Sequence, residues 1–256
     1  MRCGDGARWG AGAQRALAAV CLLAALAPPA WDPPAWAPPA WAHDIERAEA
    51  LLAEIAAQRR TAADGPTENE RTEATFRLGE TTETLVAAIN RDVTAHGRDL
   101  VGELLVRRLR AHSLEVAWAS VSNRYEYDLA AFADYLRRAP RGRWAPEAKF
   151  QLIARRFYAT LGPDPATLVG TDVAALQGAL ADEERFLAEH ATHERAGTVR
   201  FFVAVDHYRI ARNTRDPVRA REHERRARQA LQQTVERSTE AFEVRAAQTL
   251  LETLPR

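Results

Sequence analysis

Thiols are scarce in this 256-residue chain: its two cysteines are Cys3 and Cys21. From residue 43 onward there are none, so thiol catalysis, iron–sulfur clusters, cysteine-ligated zinc and a disulfide framework are excluded there. Lys149 is the single lysine and Met1 the single methionine, a skew of usage that carries no functional signal. Charge of one sign is missing too. The 35 basic and 35 acidic residues cancel, and the isoelectric point is about 7.1. A chain-wide electrostatic grip on nucleic acid needs a basic surplus, so no nucleic-acid partner is expected. The 13 glycines are scattered and form no phosphate-cradling loop. G-x-S-x-G, Walker and Rossmann patterns are absent, as is H-E-x-x-H. What is present, 46% hydrophobic and 27% charged residues, fits a folded globular chain.

The first 42 residues read as an export signal. Arg2, Arg8 and Arg15 precede an uncharged apolar stretch over 16–27, which is shorter than the roughly 20 residues a bilayer span requires. PPAW then recurs at 28–31, 33–36 and 38–41, and Ala40-Trp41-Ala42 supplies an A-x-A cleavage triplet. The expected product begins at His43 and resides in the bacterial periplasm or outside the cell, with no membrane span. The competing reading is an uncleaved apolar anchor followed by a Pro/Trp spacer. No lipid anchor is expected, because Ala18-Ala19-Val20 ahead of Cys21 does not form a lipobox.

From residue 43 the periodicity is helical nearly throughout. Residues 43–122 form a first helical region. Ile45, Ala48, Leu52 and Ile55 recur at three- and four-residue steps up to the breaker Asp64-Gly65-Pro66. A second stretch spans about 67–95 with Gly79 dividing it, and a third spans about 98–111. Residues 114–122 alternate in polarity as a short strand would, yet in helical surroundings they read as helix or extended loop. From Asn123, residues Tyr125, Leu129, Phe132, Tyr135 and Leu136 share a helical face that stops at Pro140. Further helices are expected at about 145–160, 171–191, 194–212, 217–236 and 239–253. Asp216-Pro217 forms an N-cap followed by proline, and Ser238 or Thr239 caps the last helix.

A shift of 51 residues without a gap places Tyr135 on Phe186, Leu136 on Leu187 and Ala145 on Ala196. The same shift places Phe150 on Phe201, Leu152 on Val203 and Phe157 on Tyr208. Periods of this size mark stacked helical hairpins. Residues 125–158 carry the aromatic-x-x-aromatic-Leu pattern at Phe132, Tyr135 and Leu136, the stop at Pro140, and the restart Ala145-Pro146-Glu147-Ala148 with Phe150 and Leu152. This resembles the tetratricopeptide-type repeat of bacterial envelope proteins, similar to the hairpins of the outer-membrane-assembly lipoprotein and the Tol–Pal cell-division coordinator. The resemblance implies an all-α fold of stacked antiparallel hairpins, a TPR-like α-solenoid over 123–256.

Such hairpins leave a groove for an extended peptide or partner helix. The expected function is a non-catalytic scaffold or adaptor, exported and needing no cofactor, that holds another envelope protein or peptide. Arginine, tryptophan and tyrosine are frequent binding anchors, so Tyr125, Tyr135, Arg138, Arg141, Trp144 and Tyr158 are the candidate partner-binding residues. The alternative is a periplasmic enzyme or metal-binding protein built around His190, His193 and His207. Asp182, Glu183 and Glu184 read as helix surface.

Overall fold

The computed structural model describes residues 45–120, 122–160, 172–238 and 240–254. Among them are nine helices and one two-stranded sheet, so the chain is predominantly α. None of the described helices is long and apolar enough to cross a membrane. The chain divides into two compact units between Leu152 and Ile153.

In the first unit, α1 (Ile45–Asp64) buries Ala48, Leu52 and Ile55 and pairs with α2 (Glu68–His96). The start of α2 follows from its sequence: Thr67 and Glu70 form a reciprocal capping box that satisfies two otherwise orphaned N–H groups. Contrary to expectation, Gly79 does not divide this helix, which runs unbroken for 29 residues. Gly79 serves instead as a notch. A Cβ there would lie 2.9 Å from two carbons of the Phe132 ring. Asp99 caps α3 (Leu100–Ala111) through Gly102 N at 2.8 Å.

A β-hairpin follows, correcting the reading of 114–122 as helix or extended loop and of 123–128 as helix. Strands β1 (Val116–Ala119) and β2 (Arg124–Tyr127) pair antiparallel, with Val116 opposite Tyr127 and Trp118 opposite Tyr125. Period-two alternation buries Val116, Tyr125 and Tyr127. An isolated two-stranded ribbon is marginal in water; here helix side chains hold its backbone. Asn90 on α2 donates to Tyr125 O at 2.8 Å and accepts from Tyr125 N at 2.7 Å. Arg110 at the end of α3 donates to Val116 O at 2.8 Å. The next helix therefore begins at Ala130, not Asn123: α4 (Ala130–Arg138) precedes α5 (Ala145–Thr160), in which the unit boundary falls.

In the second unit, α6 (Val173–Glu189), α7 (Ala196–Asn213), α8 (Pro217–Arg237) and α9 (Ala241–Thr253) each pack on the next in chain order. Asp216 caps α8 as its sequence predicts, accepting from Val218 N at 2.9 Å, with Pro217 the first helical residue. The N-cap of α9 is Glu240, not Ser238, which ends α8; Ser238 accepts from Glu240 N and donates to Glu243 at 2.6 Å, and Thr239 lies outside the described residues. The end of α5 contributes Phe157, whose ring stacks on Phe202 of α7 at 4.0 Å.

The turns into α5 and α7 share one backbone pattern at the 51-residue offset. In the first, Ala139 N donates to Tyr135 O, Gly142 N to Ala139 O, Ala145 N to Gly142 O and Ala148 N to Trp144 O. The second repeats it: His190 N to Phe186 O, His193 N to His190 O, Ala196 N to His193 O and Val199 N to Arg195 O. Ala145 and Ala196 are both buried, as are Ala148 and Val199.

Candidate functional site

Two of the six predicted partner-binding residues belong to the core and offer no surface. Tyr125 is 3% exposed, clamped by Asn90 and packed edge-on against Trp118 at 5.0 Å. Tyr135 is 2% exposed, and its hydroxyl accepts from Trp144 N at 2.9 Å. Tyr135 shares the aromatic-x-x-aromatic spacing with the buried Phe132, a packing stripe that hydrophobic periodicity alone does not distinguish from a binding stripe. Tyr158, in the second unit, is half-buried and meets Phe202 edge-on at 5.9 Å.

Trp144, Arg138 and Arg141 remain at the surface of the first unit. Trp144 is half-buried, stacked on Phe76 with centroids 5.1 Å apart and planes 5° from parallel. The guanidiniums of Arg77 and Arg143 lie 4.6 and 4.5 Å from its ring, in cation–π range. Arg138 and Arg141 are exposed on the same turn. Arg77 also borders an open depression of about 330 Å³ on the α1–α2 pair, together with Gln58, Thr61, Glu70 and Glu73.

The histidine set comes apart. His190 is the C-cap of α6 and His193 lies in the turn after it, and both pack edge-on against Phe186, at 5.1 and 5.8 Å. His193 Nδ1 accepts from Arg195 N at 3.2 Å, the bond that Tyr135 hydroxyl makes to Trp144 N one repeat earlier. The exchange is coherent. A Cβ at Gly142 would lie 2.5 Å from the Tyr135 hydroxyl, whereas Phe186 has no hydroxyl and leaves room for the His193 side chain at the matching position. His207 pairs instead with His223 of α8, their Nδ1 atoms 2.9 Å apart. Burial and the neighbouring His223 and Arg226 lower the His207 pKa to about 4. Among the described residues no group of three or more His, Cys, Asp or Glu is placed to hold a metal ion.

Sequence reasoning missed the most perturbed electrostatic site. Glu183, Asp206 and Arg209 are each fully buried. Arg209 donates to Asp206 Oδ1 at 2.9 Å and Thr160 Oγ1 at 3.0 Å, and also to Thr160 O. Both Glu183 carboxylate oxygens, Asp206 Oδ2 and Arg209 Nε find no hydrogen-bond partner. Burial pushes the Glu183 pKa well up, reinforced by Asp206. Burial also raises Asp206, to about 6, against the pull of Arg209. Glu183 was therefore misread as surface. The available signal was its place at the three- and four-residue steps Leu176, Ala179, Leu180, Glu183, Phe186, the apolar stripe of α6. The chain matches no protein-family model and no curated protein.

Proposed function

We propose that the protein is an exported, non-catalytic scaffold whose TPR-like helical hairpins hold another protein or peptide of the bacterial envelope. The observation that carries this reading is the turn built twice with the same four backbone hydrogen bonds, 51 residues apart. Hairpin repeats bury their apolar faces only by stacking and expose an extended binding surface. The docking surface is the Trp144 tier: an indole with the Arg77 and Arg143 guanidiniums in cation–π range, and Arg138 and Arg141 exposed on the same turn. Tryptophan and arginine dominate interface energetics because they combine large apolar area with directional polar contacts. The apolar stretch over 16–27 and the Ala40-Trp41-Ala42 triplet support export to the periplasm or beyond.

Crosslinking in the native envelope followed by mass spectrometry tests the scaffold. The expected result is a defined partner that Trp144→Ala and Arg141→Glu both lose while the circular dichroism spectrum is retained. Unchanged capture by both variants refutes the surface, and a wild-type protein that captures nothing refutes the scaffold. Amino-terminal sequencing of the exported protein should begin at His43.

A further inference from the structure

We propose that Glu183 and Asp206 form a buried proton-binding site that holds α6 against α7 for as long as it carries its proton. Charge counting and geometry lead to this. Two carboxylates and one guanidinium share a fully buried space, and Arg209 spends its contacts on Asp206 and Thr160. Glu183 is left with two oxygens and no donor, and Asp206 with one. An ionised Glu183 would be an uncompensated charge in the core, which proteins avoid by neutralising the group. A proton retained on Glu183 removes that charge.

The surrounding charges act in the same direction. On α6, Asp182 and Glu184 flank Glu183 and disfavour its ionisation, while Asp206 faces it from α7; Arg209 alone opposes them. Arg156 of α5 is occupied with Asp182. On α7 and α8, His207 and His223 are turned toward each other, with Glu184 3.6 Å from His207 Nε2. Glu222 of α8 is bound by Arg225 and Arg226. None of these neighbours supplies Glu183 with a second cation.

The hairpin itself does not require a carboxylate here. At the 51-residue offset Glu183 corresponds to Phe132, a fully buried ring of the first unit. A helix face that accepts phenylalanine in one copy carries a proton-dependent charge in the other. Loss of the proton to solvent leaves two anions against one cation, and α6 separates from α7 to hydrate them. The device closes this hairpin at low pH, where the proton is held, and loosens it as pH rises through the elevated Glu183 pKa.

Hydrogen exchange by mass spectrometry on the full chain, corrected for the intrinsic rate at each pH, reads this directly. In the wild type, protection of the amides of α6 and α7 should fall with rising pH by up to about tenfold per pH unit, the limit for one linked proton. Glu183→Gln keeps the shape without the titration, so its protection should stay level with pH. Asp206→Asn leaves Glu183 a share of Arg209 and should also flatten the profile, which keeps the test available if one variant does not fold. Wild-type protection that is level with pH, or an equal slope in either folded variant, overturns the proposal.

Discussion

Replacing Gly79 by alanine sets two opposing effects against each other inside one helix. An interior helical glycine is about 1 kcal/mol less favourable than alanine, so propensity alone predicts a more stable protein. Packing predicts the reverse. The new Cβ would lie 2.9, 2.9 and 3.0 Å from three carbons of the Phe132 ring, against the 3.5–4.0 Å at which carbon pairs attract. Phe132 has no exposed surface and lies edge-on to Phe76 at 5.5 Å, so its ring has nowhere to retreat. Overpacking of this kind costs about 1–3 kcal/mol. Packing should win, giving a net loss of up to about 2 kcal/mol once the helix gain is subtracted. Urea unfolding followed by the fluorescence of Trp118 and Trp144, both in the same unit, measures it. Phe132→Leu removes the clashing atoms, so the double variant should lose less than the sum of the two single losses. A Gly79→Ala protein more stable than wild type would refute the notch, since propensity would then be the larger effect.

Asn90→Ala should cost about 1–3 kcal/mol, because it strips both partners from the backbone of the buried Tyr125; a lower urea midpoint and faster exchange of the Tyr125 amide are the readouts. His207 gives an acid-side signature. Its folded pKa of about 4 lies below its unfolded value of 6.5, so the unfolded state binds the proton first. Its stabilisation is complete above pH 6.5 and declines toward pH 4, a loss on the order of 3 kcal/mol. His207→Asn should flatten that limb of the stability profile, and an unaltered acid limb would show that the pair with His223 does not control it.

Much of the fold was legible as periodicity. The three- and four-residue steps of α1, the Thr67–Glu70 box of α2 and the Asp216–Pro217 start of α8 are local signals, and local hydrogen bonds act on them directly. The β-hairpin was not legible as such. Val116–Ala119 is short and its alternation weak, and the pairing is held by Asn90 and Arg110, which lie on neighbouring helices. The turn repeat was visible as matched residues at an offset of 51, and the structure added that the second copy replaces the Tyr135 hydroxyl with the His193 ring.

The candidate sites were less legible for a physical reason. Residue type and spacing state what a side chain is able to do, whereas burial and partners depend on what packs over it. Tyr125 and Tyr135 were chosen as surface anchors because aromatic stripes serve cores and grooves alike, and α2 covers them. Three acidic residues in a row, Asp182, Glu183 and Glu184, suggest an exposed helix face, and that pattern hides the burial of Glu183. The sequence by itself determined most of the helices, the Thr67–Glu70 and Asp216 caps, the repeat offset and the neutral charge balance. Only the tertiary structure decided that Gly79 receives a ring, that His207 meets His223, and that α6 turns Glu183 into the core beside Asp206. Those contacts join residues far apart in sequence, and no local pattern encodes the low-polarity surroundings that shift their protons.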